Sequence, residues 1–242
     1  MRFDEYIVTK KGLSRSRAQD LIKRGKVRLG TKIIVKPAWK VRGDERIQLL
    51  EKEQYVSRAG HKLASAAQAL KVDFKNKVVL DVGSSTGGFT DYALQHGARR
   101  VIAVDVGTDQ LHSKLRTDDR VVLFEKTDIQ EFTWPKNTDK PDIVVADVSF
   151  ISLTKILSSV SRLAGKGATH LIMVKPQFEV RLSPGIKLGN GVVKNSKDRR
   201  QILGSFELWL KDNGWVVRGK RDSDLAGSKG NVERFYLLSH SP

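Results

Sequence analysis

The chemistry in this sequence gathers at the ends of its apolar runs. Asp81-Val82-Gly83-Ser84-Ser85-Thr86-Gly87-Gly88-Phe89-Thr90 follows Val78-Val79-Leu80 and leads into Asp91-Tyr92-Ala93-Leu94. This order reads as strand, glycine turn, helix, a geometry that brings the main chain and the free N–H groups of a helix start close to a nucleotide-like ligand. A dinucleotide turn carries glycine at its first, third and sixth places so that the backbone can approach a pyrophosphate. Those places here hold Gly83, Ser85 and Gly88. The absent middle glycine and the acidic Asp81 disfavour a pyrophosphate, whereas a carboxylate suits a ligand with positive charge. S-adenosylmethionine, an adenosine joined to an amino acid through a sulfonium, is such a ligand.

Four further runs end in, or are followed closely by, a polar group. The strands read from the sequence are 78–82, 101–106, 121–124, 143–148 and 171–174, with Asp81, Asp105, Asp128, Asp147 and Lys175 at or after their ends. Apolar runs alternating with helical patterns from Lys77 onward predict a mostly parallel sheet with helices on both faces. Ligands of such sheets sit outside the carboxyl ends of the strands, so the five groups converge on one edge. Asp105, 22 residues after Gly83, is placed to accept from ribose hydroxyls, and Asp128 from an adenine amino group. A helix is expected at 199–211, followed by the two closing runs 215–217 and 235–238 with no helix between them, which predicts an antiparallel pair. The start of the last strand then lies on the same edge as the ends of the others, which adds Glu233.

The chain of 242 residues has a net charge of +17. Residues 1–58 contribute +9 of it, a polarity that favours a polyanionic partner such as nucleic acid. With no cysteine and five scattered histidines, no metal site is expected. No run approaches the ~18 apolar residues of a membrane span, and the start is charged, so a soluble cytoplasmic protein is expected. The first 58 residues read as a small α+β module: Ser14 caps a helix over 15–24 that Gly25 stops, and short β-runs follow at 27–29, 32–35 and 46–50. A short polar connection, 51–55, leads to a domain boundary near Ser57. Helical spacing then opens through Lys62, Leu63, Ala66 and Ala67; on local grounds Lys62 reads as a solvated lysine. Residues 181–195 read as a mobile loop beside the site. The tryptophans, spread among Trp39, Trp134, Trp209 and Trp215, read as packing residues.

The front module, with Arg2-Phe3-Asp4, Ser14-Arg15-Ser16-Arg17-Ala18, Leu21-Ile22, Gly25-Lys26-Val27 and Gly43-Asp44, resembles the S4 RNA-binding domain. That resemblance implies RNA contacts at Arg15, Arg17, Lys23 and Arg24, with Arg58 beyond them. Over nearly the whole chain, Tyr55-Val56-Ser57-Arg58, Lys62, the turn at 81–90, Ala146-Asp147-Val148-Ser149-Phe150-Ile151-Ser152-Leu153, Lys175-Pro176-Gln177-Phe178-Glu179 and Gly230-Asn231-Val232-Glu233 resemble the TlyA, or haemolysin-A-like, family. The resemblance implies an S4 domain (1–58) joined to an FtsJ-like, Rossmann-like class I methyltransferase (59–242) with a mostly parallel seven-stranded sheet. It implies 2′-O-methylation of ribosomal RNA, on cytidine of the 16S or 23S molecule in ribosomal subunits. It also implies a Lys-Asp-Lys-Glu set at Lys62, Asp147, Lys175 and Glu233. Cofactor contacts are expected from Asp81, Gly83, Ser84, Ser85, Thr86, Gly87, Gly88, Phe89, Thr90, Asp105, Val106, Asp128 and Asp147.

Methyl transfer to a ribose hydroxyl requires removal of a weakly acidic proton as the new bond forms. Lys175 is expected to accept it, oriented by Asp147 and Glu233, with Lys62 supplying charge near the hydroxyl. A neighbouring ammonium and burial favour a neutral amine, while carboxylates hold its geometry and favour the charged form. Three other readings stand beside this one: a non-catalytic RNA-binding assembly factor, a membrane-active haemolysin, and a nicotinamide dehydrogenase.

Overall fold

The protein is described by a computed structural model covering residues 1–50, 54–136, 138–227 and 229–240. It falls into two compact units, Met1–Arg58 and Ala59–Pro242. The connection expected at 51–55 lies largely outside the described residues.

The first unit holds helices α1 (Phe3–Lys11) and α2 (Arg15–Lys23) and strands β1 (Val27–Leu29), β2 (Lys32–Ile33) and β3 (Ile47–Leu49). The strands form an antiparallel sheet in the order β2-β1-β3. Ser14 caps α2, its side chain accepting from the Arg17 N–H at 3.3 Å. Phe3, Ile7, Leu21, Ile22 and Val27 are fully buried, and each such side chain contributes about 2 kcal/mol of apolar burial. Helix α1 is absent from the elements expected from sequence. Its inward face is interrupted by Asp4, which is fully buried and held by Arg2 at 2.9 Å and Gln19 at 2.7 Å.

The second unit contains α3 (Arg58–Ala69), β4 (Val78–Val82), α4 (Gly88–Gln95), β5 (Arg100–Val104), α5 (Ser113–Arg116), β6 (Val121–Phe124) and β7 (Ile143–Ala146). It continues with α6 (Leu157–Leu163), β8 (Thr169–Val174), α7 (Pro176–Glu179), α8 (Ser196–Asp212), β9 (Trp215–Asp222) and β10 (Arg234–His240). The sheet order is β6-β5-β4-β7-β8-β10-β9. β10 runs antiparallel to both neighbours, and the strand pairs from β6 to β8 are parallel. The expected seven-stranded sheet and its antiparallel closing pair are therefore present. β5 and β7 stop two residues earlier than expected, because the chain turns out of the sheet where Asp105 and Asp147 begin to serve other groups. All five residues of β4 are buried, and one core runs from Val78 and Leu80 through Val144 and Ile172 to Phe206 and Tyr236.

Successive strands proceed outward from β4 to β6 on one side and from β7 toward β8 on the other. The strand order reverses between β4 and β7, and the crevice at such a reversal is where an open α/β sheet receives a ligand.

Candidate active site

The turn from β4 to α4 forms one lip of this crevice. Gly83 has φ +80°, and a Cβ there would stand 2.8 Å from the Asp147 carbonyl oxygen, so the ends of β4 and β7 approach closely only because residue 83 has no side chain. Ser85 also takes a positive φ, +47°. That strained conformation is fastened by its N–H, which donates to Asp105 Oδ2 at 2.7 Å, while Gly107 N–H donates to Asp105 Oδ1 at 2.7 Å.

Asp81 occupies a different place from the one its sequence position suggests. It is fully buried beneath the turn, where it accepts from Thr90 Oγ1 at 2.6 Å. Burial pushes its carboxyl up to about 7, against the opposing hydrogen bond from Thr90. Asp81 thus braces the first turn of α4 from inside. Ser84, Gly87, Gly88, Phe89 and Thr90 are buried with it, and neither they nor Thr86 reach the crevice wall.

A cavity of about 440 Å³ opens at the crevice, within the usual range for small-molecule sites. Of the residues singled out from sequence, Gly83, Ser85, Asp105, Val106, Asp128 and Asp147 line it. Gln110, Thr127, Ile129 and Ile156 line it too, without having been singled out; they follow strand ends or lie in the loop beyond β7, where sequence spacing gave no separate signal. Among the described residues the wall carries three aspartates and no lysine, arginine or histidine. An apolar slot edged by carboxylates fits a nucleoside with a cationic substituent, and it would repel a pyrophosphate.

The four groups of the Lys-Asp-Lys-Glu set come together as two coupled ion pairs. Lys175, at the end of β8, lies 2.6 Å from Asp147 Oδ1 and donates to Ser149 Oγ at 2.7 Å. Lys62, from the second turn of α3, pairs with Glu233, just before β10, and both are more than nine-tenths buried. Burial raises the Glu233 carboxyl above its ordinary range; Lys62 offsets this, Asp147 adds to it and Lys175 opposes it. A Cβ at Gly227 would come within 2.8 Å of Glu233 Oε1, so the backbone there closes over the carboxylate. The solvated lysine expected at position 62 is instead a buried ion-pair partner.

Glu179 fixes the loop beyond β7. Buried and with its carboxyl pushed up by that burial, it accepts from Leu153 N–H at 2.8 Å and from Ser152 Oγ. This anchors the stretch that presents Ser149 to Lys175 and leaves Phe150 93% exposed at the cavity mouth, with its ring centroid 5.4 Å from that of Phe178.

In the first unit the basic residues divide. Arg15, Lys23 and Arg24 are exposed. Arg17 is 1% exposed and donates to Asp20 at 3.2 Å, so it serves the module's own packing. Arg58 is partly buried, 3.7 Å from the same aspartate. Among the described residues no cluster of acidic residues and histidines could hold a metal, and no helix is long and apolar enough to cross a membrane.

Fold and site together define a Rossmann-like methyltransferase with an appended RNA-binding module. Residues 55–240 match the FtsJ-like methyltransferase family and residues 1–47 the S4 domain. The chain is 37% identical to Hemolysin A of Brachyspira hyodysenteriae, over 96% of its own length and 97% of the relative's. It is 38% identical to the 16S/23S rRNA (cytidine-2′-O)-methyltransferase TlyA of Mycobacterium tuberculosis, over 98% and 89% of the two chains. A solved Streptococcus thermophilus structure bearing the hemolysin name superposes with a TM-score of 0.79 at 34% identity, covering 100% of this chain and 88% of that one. The chain belongs to the TlyA, or haemolysin-A-like, family of FtsJ-like methyltransferases with an N-terminal S4 domain.

Proposed function

We propose that this chain methylates a ribose 2′-hydroxyl of ribosomal RNA, on a cytidine of the 16S or 23S molecule within a ribosomal subunit, acting as a cytoplasmic enzyme. The supporting observation is a juxtaposition: a cavity whose charged lining residues, among those described, are all carboxylates ends, through Asp147, at the ammonium group of Lys175. S-adenosylmethionine, when bound, supplies a methyl group made electrophilic by its sulfonium. Asp105 and Asp128 would hold its ribose and adenine, the turn at Gly83–Ser85 would lie against it, and Asp147 is where cofactor pocket and catalytic set meet.

The remaining work falls to the protein's own groups. The hydroxyl proton has to leave as the oxygen gains its methyl, and Lys175, once its ammonium has given a proton to solvent, is the acceptor held beside the cavity residue Asp147. Asp147 and Ser149 aim its amine from two directions, the kind of fixed geometry that separates a productive encounter from a random one. The Lys62–Glu233 pair closes the buried side. Arg15, Lys23 and Arg24 offer phosphate contacts on the S4 module, positioning contacts rather than base readout.

The test is transfer of labelled methyl from S-adenosylmethionine to purified ribosomal subunits, with the product nucleotide located by its resistance to alkaline cleavage. Label on a 2′-oxygen is expected. Lys175→Ala should lower turnover by roughly a thousandfold, within the range for a lost proton acceptor, with cofactor and RNA affinities unchanged. Normal turnover in that variant would overturn the assignment of Lys175.

A further inference from the structure

Between α7 and α8 lies Gly189-Asn190-Gly191-Val192, part of the segment that reads from sequence as a mobile loop. Asn190 and Gly191 have φ of +55° and +76°, the pattern of a tight hairpin turn for which Asn-Gly is the favoured pair. Gly189 and Val192 pair antiparallel, with N–H to carbonyl distances of 3.2 and 3.0 Å. The segment is thus a miniature hairpin.

One side chain clasps it from outside. Asn231 donates through Nδ2 to the Gly191 carbonyl at 3.0 Å and accepts through Oδ1 from the Val193 N–H at 3.0 Å. Asn231 is 5% exposed, and its own carbonyl accepts from Gly227 N–H at 2.8 Å, the glycine that closes over Glu233. A single carboxamide, two residues before Glu233, therefore holds the hairpin and the Glu233 segment in register.

Two lysines from outside the turn, Lys194 just beyond it and Lys229 on the segment before Glu233, bring their ammonium groups to the hairpin. A Cβ at Gly189 would stand 2.9 Å from Lys194 Nζ, and one at Gly191 would stand 3.6 Å from Lys229 Nζ. Both lysines are exposed, and neither has an ion-pair partner among the described residues. Ammonium groups brought to the two ends of one small turn without carboxylates to neutralise them offer a polyanion's backbone two contacts at one place.

We propose that this hairpin is a clamp for the RNA backbone next to the target nucleotide, with Lys194 and Lys229 meeting phosphate and Asn231 acting as the positioning residue that registers them to Glu233. This rests on the RNA methyltransferase reading above. In that setting the clamp fixes the strand on the Glu233 side of the catalytic set, so its contribution falls on RNA affinity.

The test uses the full chain acting on ribosomal subunits across a series of salt concentrations. Lys194→Gln with Lys229→Gln should raise the RNA KM roughly tenfold, leave kcat within a factor of about two, and flatten the dependence of log(kcat/KM) on log salt by about 1.5, as expected for two lost phosphate contacts. Asn231→Ala should raise KM in the wild-type background and add nothing in the double-lysine variant, because its effect passes through those two cations. Val193 amide exchange should be slow in the wild type, fast in Asn231→Ala and slow again in Asn231→Asp, which keeps the accepting oxygen. Unchanged KM and salt slope in the double-lysine variant, with transfer by the wild type intact, would overturn the clamp alone. An equal effect of Asn231→Ala in both backgrounds would overturn the role of Asn231. Absence of transfer by the wild-type chain would instead remove the methyltransferase reading on which the clamp rests.

Discussion

The cavity at the strand reversal and the hairpin beyond α7 belong to the same unit of a chain with net charge +17, yet their charges are opposite. Among the described residues the cavity wall has Asp105, Asp128 and Asp147 and no cation, while the hairpin is met by Lys194 and Lys229, which have no carboxylate partner. Between them sit the two Lys–carboxylate pairs, where the signs balance. On the proposed reading the total charge suits a polyanion outside, while the residues at a few strand ends suit a small cation inside. Two signs sorted onto separate surfaces would keep the polyanion and the cofactor from competing for one site.

The sharpest way to break this arrangement is at the balanced pairs. Lys62→Met leaves Glu233 buried without its cation, which should cost about 3 kcal/mol of stability and more than a hundredfold in turnover. Adding Glu233→Leu removes the stranded carboxylate. Stability by denaturant titration should then recover while turnover stays lost, since an apolar pair can fill the same space without doing the chemistry. Recovery of both would mean that the pair is only packing.

A smaller effect is expected beneath the cavity, at Asp81. Its carboxyl, raised to about 7 by burial, holds in the folded state a proton that the unfolded chain loses near pH 4. The stability this gives is complete below about pH 4 and is lost as pH rises through 7. Asn at this position keeps an acceptor for Thr90 and has no proton to lose. The melting temperature of Asp81→Asn should therefore gain on that of the wild type between pH 5 and pH 8, by an amount equivalent to about 2 kcal/mol. Cofactor affinity should hardly change, because Asp81 does not line the cavity. A pH-independent gap, or a large loss of cofactor affinity, would place Asp81 among the ligand contacts after all.

The legible part of this molecule was its sheet. Apolar runs followed by Asp105, Asp128, Asp147 and Lys175 point to strand ends within a few residues, and two closing runs with no helix between them suggest the antiparallel return that brings Glu233 to the same edge. Contacts made across long sequence distance were not legible. Lys62 looks solvated within its own helix and is buried only because Glu233, 171 residues away, meets it. Arg17 and Arg15 look alike in sequence, yet one is buried against Asp20 and the other exposed. Asp81 was read as facing a cation because it precedes the turn, but it points beneath that turn, and the carboxylates at the cavity come from other strands. Helix α1 escaped notice because a buried Asp4 interrupts its apolar face.

The acidic cavity should accept a cationic nucleoside and refuse a pyrophosphate. Calorimetric titration of the wild type and of Asp105→Lys with S-adenosylmethionine, and separately with a nicotinamide dinucleotide, tests this most directly. Saturable binding of S-adenosylmethionine by the wild type is predicted, weakened by roughly a hundredfold in Asp105→Lys through lost ribose hydrogen bonds and a reversed charge, with no binding of the dinucleotide to the wild type. Dinucleotide binding by the wild type, or undiminished S-adenosylmethionine affinity in the variant, would contradict it.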